Sequence, residues 1–342
     1  MTARSRDVVP VPAELAGSSP YVRRAMLLRP MPSHRPAALR SRLRISALAC
    51  TAIAGVRALA SARDDHEGEA VTNGERWTTE RARAWAASRG WRVGCNFTPS
   101  SASNQLEMWR AETFDLETID RELGWAASLG FTSMRVFLHD LLWEHDRDGF
   151  VERIDRYLAT ADAHGIGTLF VFFDGVWGPA PQWGAQPEPR PRVHNSRWVQ
   201  SPGRAVLGDP TRHDSLAPYV QGVLERFRDD ARIDAWDLFN EPDNPNPAYR
   251  DDEMPPDEKA ERALELTRHA FAWAREANPS QPLTVGVWQR SWSDPDALAD
   301  MDRFCLEHSD VISFHHYGEL EALAHRVEAL RRAVALERLA FV

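Results

Sequence analysis

Apolar residues fall into two regimes along the chain. Through the first 75 residues Arg, Pro, Ala and Ser dominate without a sustained period. From about residue 76 onward, short apolar runs alternate with stretches of helical spacing, the signature of repeated βα units. Seven runs read as strands: WRVGCNF (91–97), FTSMRVFL (131–138), IGTLFVFF (166–173), IDAWDLF (233–239), PLTVGVW (282–288), DVISFHH (310–316) and LAFV (339–342). Between them, DLETIDRELGWAASLG carries Ile119, Leu123, Ala126 and Ala127 on one helical face and stops at Gly130. FVERIDRYLATADAHG stops at Gly165, and SWSDPDALADMDRF opens with Asp294 as a cap and Pro295 at the first helical position.

Strands that are apolar almost throughout are buried on both faces, as parallel strands are when helices cover them. An open doubly wound sheet and an eight-fold barrel both satisfy that. After the first strand comes CNFTPSSASNQ rather than a glycine-rich phosphate loop, which removes the main support for a nucleotide-binding sheet. Polar residues gather instead at the C-terminal ends of successive strands: Asn96, His139 and Asp140, Asp174, Asn240 and Glu241, and His315 to Tyr317. Barrel enzymes place their sites there. The expected fold is a TIM (β/α)8-type barrel over 76–342, incomplete at the C-terminus with about seven strands, preceded by a leader over 1–75.

Alternation sharpens the site. In FTSMRVFLH, Arg135, Phe137 and His139 share one face and Met134, Val136 and Leu138 the other. The all-apolar face suits the helix layer, so Arg135 and His139 are expected to point into the barrel. The same rule turns Ser313, His315 and Tyr317 inward and sets Ile312, Phe314 and His316 against helices.

A formal charge of -9 argues against nucleic acid as a partner. Of 41 basic residues only Lys259 is lysine. Cys50, Cys95 and Cys305 match no disulfide framework or metal-ligand spacing, and burial is their expected role. No apolar run reaches the roughly 18 residues of a spanning helix. RSRLRISALACTAIAGVRALASA (40–62) has a basic start, an apolar centre and small residues in an A-x-A-like arrangement, so it resembles a secretory signal. Its distance from Met1 becomes ordinary if translation starts at Met26 or Met31. The protein is expected to be secreted or periplasmic if this segment acts as a signal, and cytoplasmic otherwise.

Candidate chemistry centres on DAWDLFNEPD (234–243), an apolar strand that stops on Asn240, Glu241 and Pro242. These residues also suit a turn. A glutamate delivered by the end of a rigid strand is, however, well placed to exchange a proton with a bound substrate. Trp177, Trp183, Trp288 and Trp292 fall in loops after strands and could stack on a bound ligand, the rival role being ordinary packing.

MRVFLHD, then WDLFNEP, then SFHHY together resemble the cellulase-like glycoside hydrolases of clan A, retaining enzymes built on a (β/α)8 barrel. The similarity runs from about Trp77 to Val342. WRVGCNFTPSSASNQLEMW, DRELGWAASLGFTSMRVFLHDLLWE and HNSRWVQSP further resemble a bacterial subgroup often labelled β-xylanase or cellulase-like. The resemblance implies that Glu241 is the acid/base and that Asn240 hydrogen-bonds the sugar 2-hydroxyl. His315 and Tyr317 match the family's His-x-Tyr pair, Arg135 matches the arginine that holds the nucleophile ionised, and His139 sits among the cleft-floor histidines. Strict alternation puts Asn240 and Glu241 on opposite faces, so both reach one sugar only if the strand end twists or bulges.

A retaining mechanism needs a second carboxylate about 5 Å from the first. The family carries it at the end of the seventh strand, here LAFV, where this sequence stops at Val342. The nucleophile and the eighth strand are therefore expected to be missing. Asp174, at the end of the third strand, is the one substitute the pattern offers, although its position does not match. The reading is a retaining O-glycoside hydrolase for β-linked polysaccharide or oligosaccharide, with no metal or organic cofactor. The alternatives are a carbohydrate-binding pseudoenzyme or inactive fragment, and a metal-dependent barrel hydrolase. The last usually requires an H-x-H at the first strand end, where Cys95-Asn96-Phe97 stands.

Overall fold

A computed structural model describes residues 75–249, 251–288, 292, 294–333 and 340–341. The 40–62 segment, Cys50 and nearly all of the expected leader lie outside the described residues.

Among the described residues seven strands form one sheet: β1 (Gly94–Asn96), β2 (Ser133–Phe137), β3 (Gly167–Asp174), β4 (Ile233–Asn240), β5 (Leu283–Val287), β6 (Ile312–Phe314) and β7 (Ala340–Phe341). Their spatial order is their sequence order, and every neighbouring pair is parallel. A doubly wound sheet reverses its order partway; this one winds in a single direction, as an incomplete barrel does. The α-helices are α1 (Thr79–Arg89), α2 (Gln105–Trp109), α3 (Leu116–Ser128), α4 (Asp140–Ala163), α5 (Arg204–Leu207), α6 (Ala217–Arg226), α7 (Pro256–Ala277), α8 (Asp300–His308) and α9 (Leu320–Ala333).

Local chemistry accounts for the boundaries. The Asp115 side chain accepts from Thr118 N at 3.0 Å and caps α3, which buries Ile119, Leu123 and Ala126 at helical spacing. Gly130 and Gly165, just past α3 and α4, take positive φ of 89° and 69°, which L side chains resist. The expected cap at Asp294 forms, but over a short 3-10 turn, Pro295–Ala297. The helix proper begins at Asp300, because Leu298 and Ala299 are extended.

The larger core lies between sheet and helices, where Met134, Val136, Leu138, Phe170, Trp236 and Ile312 meet α3, α4, α6, α7 and α8. A smaller cluster of Phe137, Leu169, Val171, Trp198 and Ala235 fills the concave face. At the N-terminal ends of the strands the fully buried Asp234 takes Arg92 at 2.7 Å and Ser133 Oγ at 2.9 Å, closing the floor. The first strand departs from expectation: β1 spans only three residues, all exposed, and Cys95 is exposed rather than buried. Among the described residues β1 pairs with β2 alone and lies at the edge of the sheet. Cys305 is buried on α8. Among the described residues no helix is long and apolar enough to cross a membrane.

Candidate active site

The site is built on an irregularity in β4. Asp237 pairs with Thr284 of β5 while Asn240 pairs with Gly286, three residues against two. The extra residue is a bulge, and it breaks the alternation. Leu238 and Phe239 both join the helix-side core, and Asp237 and Asn240 both turn to the concave face, where each meets Arg135. Glu241 follows with φ 44°, a left-handed conformation that is costly for a glutamate. Bulge and positive φ together bring Asn240 and Glu241 to one side, which strict alternation forbids.

Glu241 is only 7% exposed, yet it borders an open cleft of about 1510 Å³ at the C-terminal ends of the strands. Its Oε1 lies 2.5 Å from Nδ1 of His315 and its Oε2 accepts from Asn244 Nδ2 at 2.7 Å. The first contact ties the carboxyl group to the imidazole, and the second fixes the plane of the carboxyl group.

A chain of hydrogen bonds runs beside it. Arg135 donates to Asp237 Oδ2 through Nη2 at 2.5 Å and Nε at 3.2 Å, and to Asn240 Oδ1 at 2.9 Å. Asn240 Nδ2 in turn donates to Asp174 Oδ1 at 3.0 Å. Both ends of the Asn240 amide are thereby oriented, and its second Nδ2 hydrogen has no acceptor among the described residues. Asp174 is almost wholly buried; burial, reinforced by the like charge of Glu241, raises its pKa from 3.8 to about 7. It does not line the cleft.

Arg135, Asn240, Glu241, His315, Tyr317, Trp177 and Trp288 all border the cleft. Tyr317 is 85% exposed at its rim. Trp177, with φ 74°, packs edge-on against Trp198 and His194 on the loop that follows β3. Trp288 donates its indole N–H to Asp243 at 3.0 Å.

His139 does not reach the cleft. The chain passes from β2 directly into α4, so His139 becomes the cap of that helix, fully buried, its Nδ1 accepting from Leu141 N at 3.2 Å and lying 3.0 Å from Asp140 Oδ1. His316, expected against the helices, borders the cleft instead, because β6 ends at Phe314 and its alternation ends there. Trp183 stacks on His145 and Trp292 is fully buried, so neither presents a face to the cleft.

Asp237 and Asn244 are cleft residues that sequence reasoning missed. Asp237 carried a signal: an aspartate inside a buried strand requires a partner, and Arg135 was already assigned to the same face. Nothing in the spacing marked Asn244.

No protein-family model matches the sequence and no curated protein matches it. Among solved structures it is similar to the GH5_18 protein of Streptomyces cattleya in complex with GlcNAc, at 21% identity and TM-score 0.45 over 66% of this chain and 51% of that one. It is also similar to the β-mannanase of the blue mussel Mytilus edulis, at 14% identity and TM-score 0.47 over 73% and 78%. A third similar structure is β-glucosidase 1317, at 12% identity and TM-score 0.45 over 70% and 72%. The chain spans about half the length of the GH5_18 structures it matches.

Proposed function

We propose that this chain carries the acid/base half of a retaining glycoside hydrolase site for β-linked glycans. One observation supports the reading above all: a glutamate at a bulged strand end, turned into an open cleft, with its two oxygens held by His315 and Asn244. In this reading Glu241 gives its proton to the leaving glycosidic oxygen and later takes one from water. Asn240 offers its second N–H to the sugar 2-hydroxyl, and Trp177 and Trp288 supply ring faces on the cleft wall.

Neither nearby aspartate suits the nucleophile's role. Asp237 is saturated, with Arg135 on Oδ2 and the backbone N–H groups of Phe239 and Gly286 on Oδ1 at 3.3 Å. Asp174 is enclosed beneath Asn240. The resemblance puts the nucleophile at the end of the seventh strand.

An external nucleophile tests both halves. Azide attacking C1 of an aryl β-glycoside from the α face forms C1–N while C1–O breaks, and Glu241 protonates the departing aryloxide. The expected product across a mannoside, glucoside and xyloside panel is an α-glycosyl azide, formed at an azide-dependent rate that Glu241→Ala lowers by about 10² to 10⁴. Azide-independent hydrolysis with retention means that a nucleophile lies within these 342 residues. No release of phenol above the Glu241→Ala background would sink the glycosidase reading.

A further inference from the structure

Lys259, the only lysine of the chain, has no exposed surface and does not border the cleft. Its Nζ donates to Glu253 Oε2 at 2.7 Å and to the Gly175 carbonyl at 2.6 Å. Glu253 also accepts from Gln200 Nε2, from Asn246 Nδ2 at 3.3 Å and, through Oε1, from Met254 N at 3.0 Å. Burial acts to raise the pKa of Glu253, but the Lys259 charge and these hydrogen bonds outweigh it and hold the carboxylate below its ordinary range. Burial lowers that of Lys259.

Two arms lead from this pair to Glu241. In the first, Asn246 N donates to Asn244 Oδ1 at 2.8 Å, and Asn244 Nδ2 donates to Glu241 Oε2 at 2.7 Å. Asn246 also donates to the carbonyl of Trp177 at 2.5 Å. In the second, Gly175, whose carbonyl Lys259 holds, donates its N–H to the Asn240 carbonyl at 2.9 Å. Its Cα packs so closely that a Cβ there would stand 2.5 Å from the carbonyl oxygen of Glu241.

A buried ion pair is poor evidence of a stabilising role, because desolvation offsets its attraction and well-packed apolar residues often serve as well. This pair sits where the loops after β3 and β4 meet, one of which carries Trp177 and the other Glu241. We propose that Lys259 and Glu253 are positioning residues, clamping the two loops so that the Asn244 amide is held against the Glu241 carboxyl group. The inference rests on Glu241 being the acid/base for its kinetic readout, and on geometry alone for its spectroscopic one.

The kinetic test compares Lys259→Met, Glu253→Met and the double variant in the azide assay and in thermal melts. Each single variant leaves one charge buried alone and is expected to melt early. The double variant removes both charges and is expected to regain most of the melting temperature while kcat stays about 10- to 100-fold down, the cost of displacing a catalytic group by about an ångström. KM should change less than about twofold. Recovery of kcat together with melting temperature would show that the pair only packs. The spectroscopic test uses the protein with 13C-labelled lysine, in which Lys259 gives the only lysine side-chain signal. Asn244→Ala is expected to move that signal by more than its line width. An unmoved signal overturns the tether, whether or not the chain turns over and whether or not the double variant folds.

Discussion

Replacing Asp174 by asparagine tests the electrostatics beneath the cleft. Asp174 Oδ1 accepts from Asn240 Nδ2 at 3.0 Å and from Val176 N at 2.9 Å, while the buried Oδ2 has no hydrogen-bond partner among the described residues. Desolvation dominates, and the pKa rises from 3.8 to about 7. Because the folded value lies above the unfolded one, the folded chain binds the extra proton between those pH values. The stability this contributes is fully present below about pH 4 and is lost as pH rises through 7. A shift of about three units corresponds to roughly 4 kcal/mol, of which about two units, or roughly 3 kcal/mol, fall between pH 5 and 8. Asparagine has the same shape and does not titrate, so Asp174→Asn should lose that part of the slope. Urea unfolding followed by tryptophan fluorescence at pH 5, 6, 7 and 8 measures it, provided the m-values agree. The variant should gain on the wild type by about 3 kcal/mol across that range. A constant difference would refute the raised pKa.

Three further outcomes follow from the same contacts. Arg135→Met leaves Asp237 buried without its counter-charge and should cost about 3 kcal/mol in urea unfolding at pH 7, most of it recovered in Arg135→Met/Asp237→Asn. Gly286→Ala places a Cβ 2.8 Å from His315 Nε2 and should push the imidazole off Glu241, lowering azide-dependent kcat by about 10- to 100-fold while the melting temperature falls only slightly. Trp177→Ala removes one ring face from the cleft wall and should weaken oligosaccharide binding, measured by calorimetry, by about 3- to 10-fold.

Much of the scaffold was legible because it is periodic. The strand runs, the stops at Gly130 and Gly165, and the inward face of Arg135 and Phe137 all follow from spacing that local sterics enforce. The polar strand ends were legible for the same reason, since one chain direction puts every C-terminal end on one side. His139 was misplaced because a strand pattern does not show where a helix begins, and a residue used as a cap is lost to the cleft. The Asn244 contact and the Lys259 clamp were hidden because they join loops, where no period constrains which side chain meets which.

The bulge itself has a cause that sequence carries in a form alternation does not read. Leu238 and Phe239 are consecutive and both belong to the helix-side core, and so are Phe172 and Phe173 on the neighbouring strand, whose rings both pack on Tyr219 of α6. Phe173 and Phe239 meet each other at 5.7 Å. Burying a phenylalanine is worth about 2 kcal/mol or more, which exceeds the cost of one lost ladder bond. β4 therefore yields its register against β5 so that both of its apolar side chains face the helices, and β3 keeps step with it through its own doublet. The next residue then turns to the concave side, Asp174 after one doublet and Asn240 after the other, and the two are joined by a hydrogen bond of 3.0 Å. An apolar doublet followed by a polar residue at a strand end thus converts core packing into site geometry. It also accounts for Glu241, one residue further, having to take a positive φ to stay beside Asn240 rather than point into the helices.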